Sequence, residues 1–303
     1  MGIIAILAFV ILGSLQDIFL GSFFVRFDAI ASVFYSFLLS FIILQFFYIL
    51  QNKRNLKTIY AKRKALFFLN LVTAISWICF FLALKYTEPA IVGAIAFSIG
   101  PALSCIYEFF KHREIKKIGL ISWSSSLGII LGCFLLGYSS ISGHSAFSGG
   151  ESTTATLGTL LAFISGVGMT LNTYLAKHLS QSELNSQDIT AFRFLLLTLV
   201  TGIWTFLIGK IYEISNLNFL FGMIGVSIFG IIIPMSLIQI GIKRVSPRLT
   251  TILLSLTPSV TLIFELLDNR LKLSAYSTGG IILVFAFSFL GLKETKEASN
   301  FSN

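Results

Sequence analysis

Charge is scarce in this chain. Only 12% of its 303 residues are Asp, Glu, Lys or Arg, while 55% are hydrophobic and the mean hydropathy is +0.89. Soluble domains carry about 25% charged residues, so an ordinary water-soluble domain is excluded. Cysteine is rare too: Cys79, Cys105 and Cys133 all lie in apolar runs, an odd set with no disulfide framework and no metal-ligand spacing. The histidines His112, His144 and His178 fall in separate connections. They offer no metal or nucleophile constellation of the kind an integral-membrane enzyme needs. There is no Walker-type glycine loop for ATP. Short segments of alternating polar and apolar residues, the mark of a transmembrane β-barrel, are also missing. The chain is therefore expected to be no enzyme, with no catalytic residue, metal or cofactor.

What is present is a succession of apolar runs separated by clumps of charge. Runs at 3–22, 29–50, 65–84, 90–110, 118–138, 155–176, 189–209, 217–241, 247–267 and 274–292 are each long enough to cross a hydrocarbon core as a helix. An all-α integral membrane protein with ten transmembrane helices is expected. A net charge of +9 is of the sign that binds nucleic acid, but the basic residues sit in short connections with no domain to present them. Lys53, Arg54, Lys57, Lys62, Arg63, Lys64, Lys111, Arg113, Lys116, Lys117, Lys243, Arg244, Arg248, Lys293 and Lys296 share one face if the N-terminus is inside. The other face holds the Gly/Ser/Thr-rich stretch 139–156, which has no Lys or Arg. Positive loops mark the cytoplasmic side, so both termini are expected in the cytoplasm and the chain in the cell inner membrane. The first run lacks a basic leader and a cleavage site, so it reads as a retained helix.

The runs echo one another. Ala191 to Thr198 can be laid over Val33 to Ser40, and the same offset of 158 brings Lys243 to Pro247 onto Lys85 to Pro89. Pro101 and Pro258 follow, each with a glutamate seven residues later, Glu108 and Glu265. Five spans is an odd number, so a duplicated half enters the membrane in the opposite sense. Two inverted five-helix repeats are expected: 1–140 and 155–292, joined by an extracytoplasmic linker at 141–154 and followed by a cytoplasmic tail at 293–303. In such proteins a small-molecule site lies near the midplane between the halves.

Polar residues inside spans are the candidates for that site, because lipid cannot satisfy them. Ser14-Leu15-Gln16-Asp17 in the first span matches Thr170-Leu171-Asn172-Thr173 in the sixth at an offset of 156. Gln16 and Asn172 either face a cavity or make an interhelical hydrogen bond of about 0.6 kcal/mol. Asp17 is the most unusual residue, since a carboxylate at the centre of a span costs about 2.5–3.5 kcal/mol. It could serve substrate or proton, or simply reach water or Arg26. Trp77 could stack on a ligand, as could Trp204, and Gln239 adds a second amide. Pro101, Pro234 and Pro258 remove helical hydrogen bonds and are candidate hinges. Glu108 and Glu265 are candidate gating charges at opposite faces, with an interfacial salt bridge as the plain alternative. Ser124, Gly128 and Gly132 form a small-residue face, and packing inside one chain is favoured over a dimer.

This pattern resembles the drug/metabolite transporter superfamily in its ten-helix EamA-type branch. The resemblance covers about residues 1–292. It rests on Ala83-Leu84-Lys85-Tyr86-Thr87-Glu88-Pro89-Ala90, on Pro101 followed by Glu114, and on Arg193-Phe194, which looks like the family's arginine at the start of helix seven. Tyr35 stands where the second helix should carry an arginine, and Leu271 where a second glutamate should follow Pro258. The resemblance implies a permease with a central cavity lined by helices one, three, four, six, eight and nine. Such permeases move amino acids, other metabolites, nucleotide-linked compounds or drugs, often outward. The expected function is therefore secondary transport of a small organic metabolite by alternating access. An amino acid or related amphipathic compound moved outward is favoured; import or exchange of a nucleotide-linked metabolite is the alternative.

Overall fold

A computed structural model describes residues 1–24, 26–50, 56–112, 120–142, 152–182, 184–211, 215–267 and 275–300. Ten helices among them are long and apolar enough to cross a membrane. We number them span one (Gly2–Phe23), two (Ala29–Leu50), three (Arg63–Tyr86), four (Pro89–Phe110) and five (Leu120–Ile141). Then come span six (Thr153–Ser180), seven (Ser186–Leu207), eight (Leu217–Arg244), nine (Pro247–Phe264) and ten (Ala275–Leu292). No strand occurs among the described residues. The linker residues 143–151 and the last three residues, 301–303, lie outside them. The last helix runs on to Asn300, through most of the segment expected to be a tail.

Local chemistry fixes where spans start. Asp28 Oδ1 accepts from the N–H groups of Ile30 and Ala31 ahead of span two. Asn185 and Asp188 form a capping box at span seven, and Asn216 and Ser246 cap spans eight and nine. Spans four and nine each open on a proline, Pro89 and Pro247, where the missing N–H is harmless.

The two halves are built alike and interlocked. Span one packs on spans eight and nine, while span six packs on spans three and four. Spans two and seven, four and nine, and five and ten pair across the centre. This is the contact pattern of two five-helix repeats related by a two-fold axis. Matched residues make matched turns. Thr87 and Val245 are both extended caps (ψ 153° and 156°), each donating its N–H to the carbonyl four residues earlier at 2.9 Å.

Three spans are interrupted, each for a chemical reason. Pro234 cannot donate to the turn before it, and the preceding Val226–Ile232 widens into a π-helix. Pro258 leaves the Leu254 carbonyl without its helical donor, and the Thr257 hydroxyl supplies one at 2.7 Å. Span nine accordingly breaks between Leu254 and Thr257. Span seven breaks at Arg193-Phe194 without any proline. Asn70 braces that break from span three: its amide donates to Phe192 O at 2.7 Å, and its Oδ1 accepts from Leu196 N at 3.2 Å. Span four, in contrast, continues as α-helix through Pro101.

The small-residue face of span five meets span ten of the same chain. A Cβ on Gly132 would lie 2.6 Å from Val284 Cγ2, and one on Gly128 would overlap the Phe287 ring. Ser125 completes this face with a 2.6 Å hydrogen bond to Phe287 O, whereas Ser124 is exposed. The small-residue contact therefore includes Ser125 in place of Ser124.

Candidate functional site

Seven spans converge on one small pocket of about 50 Å³. Its wall is Phe9, Trp77, Phe97, Met169, Asn172, Thr173, Arg193, Met235, Ile238, Ile242 and Leu254. Phe9 and Phe97 meet edge to face at 6.3 Å, and Trp77 sits among Phe37, Phe80 and Phe81. The pocket is thus an aromatic and aliphatic chamber with three polar residues. Asn172 is held on span three, accepting from Thr73 Oγ1 at 2.9 Å and donating to Ser76 Oγ at 3.3 Å. One Nδ2 hydrogen and one Oδ1 lone pair remain for another partner.

Arg193 is the unusual group. It is 4% exposed, and its Nε has no partner. It makes no ion pair or hydrogen bond among the described residues, and its guanidinium carbon stands 5.6 Å from the Phe194 ring centre. In the sequence Arg193 stands out only as a family landmark. The signal for a site role is a cation several residues inside an apolar run.

The duplicated signature of spans one and six is now spatial. Ser14 Oγ donates to Thr257 O, the carbonyl just before Pro258, at 3.2 Å. Thr170 Oγ1 lies 3.3 Å from where a Cβ on Gly100, just before Pro101, would be. Gln16 packs on Gly230 of span eight, with Oε1 2.8 Å from an ideal Cβ there. Its mate Asn172 bonds to Thr73, which corresponds to Gly230 at an offset of 157. The polar pairs are therefore repeated contacts at the centre of the bundle. They are not equivalent in chemistry, because Gln16 Nε2 lacks a partner.

Gln16 lines a different space. A groove of about 790 Å³ runs between spans one and eight, walled by Leu12, Leu15, Phe19, Phe221 and Phe229, with Arg26 and Asn218 at one end. Leu15, Phe19, Phe221 and Phe229 are between 45% and 68% exposed, so this groove opens sideways to lipid. The smaller chamber is the better candidate site, since its wall comes from both repeats and includes the unpaired cation.

Asp17 reaches neither water nor Arg26. It is 2% exposed, its Oδ2 has no partner, and it lies beside Gly93 of span four. Gln239 is fully buried with both amide atoms unpaired, and it does not line the central pocket. Glu108 meets Arg248 of span nine at 3.1 Å, and the side chains of Lys111 and Arg113 lie outside the described residues. The side chain of Glu265 lies outside the described residues. Trp204 is 47% exposed on the lipid face, which removes it from any cavity. Cys105 bonds with Ser126 at 3.1 Å, an ordinary packing role. Among the described residues, no three His, Cys, Asp or Glu side chains come together.

Lys177, absent from the sequence candidates, ends span six on the last turn of span eight. Its Nζ donates to the carbonyls of Ile242, Lys243 and Val245 at 2.9, 3.0 and 2.8 Å.

Ten membrane helices in two interlocked five-helix repeats, with a polar-dotted chamber between them, are the build of a secondary transporter. The chain belongs to the EamA-like transporter family, which it matches over residues 1–138 and 156–292. A crystal structure of a protein 13% identical shares the fold over 98% of both chains, with a TM-score of 0.68. Comparison with curated proteins gives no match. The fold and family are those of a multi-pass membrane transporter and not of an enzyme.

Proposed function

We propose that this transporter exports a small organic metabolite, an amino acid or related amphipathic compound, across the cytoplasmic membrane. The observation that carries this reading is the chamber at the repeat interface, where Trp77, Asn172, Thr173 and Arg193 interrupt an apolar wall. Apolar surface with a few placed polar groups suits an amphipathic ligand. The two repeats, 1–140 and 155–292, rock about the pocket, with Pro234 and Pro258 as hinges where their spans are already broken. Pro101 serves as a third hinge. Both termini lie in the cytoplasm, with the linker 141–154 outside. Glu108 and Glu265 act as gating charges, Glu108 by releasing Arg248. The test is transport of labelled amino acids by purified protein in liposomes. Movement above that of empty liposomes is the expected result, and its absence across a broad metabolite panel with folded protein contradicts the proposal.

Asp17 carries the proton of a coupled cycle in this reading. A carboxyl buried between spans one, four and nine without a partner is a functional site by default. Asp17→Asn keeps the shape and removes the exchangeable charge. Transport driven by an imposed pH gradient is expected to fall by about 10-fold or more, while exchange without a gradient persists. Equal gradient-driven rates in the two proteins restrict Asp17 to packing. Gln16 and Gln239, with their unpaired amides, are proposed to contact substrate in the conformations that open the bundle.

A further inference from the structure

We infer that Arg193 is the anion-binding residue of the central pocket, which therefore takes compounds carrying a single carboxylate beside an apolar body. The inference rests on the transporter reading of that pocket. A guanidinium stripped of water needs a partner, because an isolated buried charge is strongly unfavourable. None of the acids described nearby serves. Asp188 accepts from Asn185 N at 2.9 Å, Glu108 is taken by Arg248, and Asp17 lies beside Gly93 of span four. Arg193 lines the pocket with its Nε unsatisfied, so the counter-charge must come from what enters.

The surroundings hold the cation in place for that task. Span seven breaks at Arg193-Phe194, and Asn70 ties both sides of the break to span three. Gln45 adds a 2.8 Å bond to Ala191 O from span two. The second half of the span begins at Leu195, so its positive end adds to the same neighbourhood. A guanidinium fork matches one carboxylate in two hydrogen bonds. With no second cation in the wall among the described residues, a diphosphate is poorly matched, which disfavours nucleotide-linked cargo. Phe9, Trp77 and Phe97 supply the apolar half of the complement, and Asn172 offers its spare donor and acceptor to one further polar group.

Liposomes containing the full chain would be offered labelled aliphatic and aromatic amino acids and, in parallel, their primary amides. The amide keeps the shape and removes the anion. At least one acid is expected to move about 10-fold or more faster than its amide. Arg193→Gln should bring that ratio close to one, while Arg193→Lys, which keeps the charge and loses the fork, should retain the preference at a lower rate. A merely structural arginine would change both rates together and leave the ratio intact, so an unchanged ratio in Arg193→Gln overturns the inference. Amides moved as fast as acids by the unaltered protein also overturn it, yet leave the transporter reading standing. Movement of neither class contradicts both. If Arg193→Gln does not fold, the ratio in the unaltered protein and in Arg193→Lys decides.

Discussion

Leucine in place of Gly128 is expected to give a chain that inserts into the membrane but cannot seat span ten on span five. Any Cβ at that position would overlap the Phe287 ring, a rigid group rather than the end of a flexible chain. The neighbouring contacts leave no slack. A Cβ on Gly132 would stand 2.6 Å from Val284 and 3.2 Å from Gly280 O, and one on Gly280 would stand 2.6 Å from Leu136. Close helix approach through small residues is a main source of cohesion in lipid, where burial of apolar surface from water is no longer available. Overpacking of this kind costs about 3 kcal/mol. Thermal unfolding in detergent should show a clear drop for Gly128→Leu. Gly279→Ala is the control, because nothing lies within 4 Å of the added carbon. It should be neutral or stabilising by about 0.5–1 kcal/mol, since alanine suits a helix better than glycine. Equal melting of the two variants would refute the packing account. Phe287→Ala should partly rescue Gly128→Ala, as contacting residues couple in a double-mutant cycle.

The second large effect concerns the closure held by Lys177. Three carbonyls of the last turn of span eight converge on one ammonium, which places a cation at the negative end of a helix. Hydrogen bonds to a charged group are worth about 1.5–3 kcal/mol each in favourable settings. Water at the membrane face replaces part of that when the lock opens. A net shift of about 1.4 kcal/mol is a 10-fold change in the open population. Lys177→Met should therefore raise labelling of a cysteine placed at Thr173 by about 10-fold. The measurement uses a membrane-impermeant thiol reagent applied from the face with the Lys/Arg-rich loops, in a chain whose three native cysteines are replaced. An unchanged rate would show that this contact does not gate access. The mirror position, Gly21 of span one, meets Pro89 with no charge involved: a Cβ there would lie 2.6 Å from Pro89 Cγ. The matched positions at the two ends of the bundle thus make contacts of different chemistry.

Much of the site escaped a reading by residue type, for a definite reason. In a soluble helix, apolar residues mark the inward face. In lipid, both faces are apolar, so the pattern says that a segment spans but not which side looks inward. Trp77 and Trp204 sit in similar apolar runs, yet one lines the pocket and the other faces lipid. Gln16 and Asn172 occupy matched positions, but only Asn172 reaches the central chamber. The break in span seven has no proline to announce it, and Asn70, which supports it, is more than a hundred residues away in sequence.

By itself, the order of amino acids determined the all-helical membrane class, the ten crossings, the duplication and the family, because each follows from local composition, length and repeated short motifs. The convergence of seven spans on one chamber was decided only by tertiary structure. So were the isolation of Arg193 from every described acid, the burial of Asp17 and the pairing of Glu108 with Arg248. Those facts depend on how helices rotate about their axes and approach one another, and in a uniformly apolar solvent that rotation is set by packing and hydrogen bonds between distant segments.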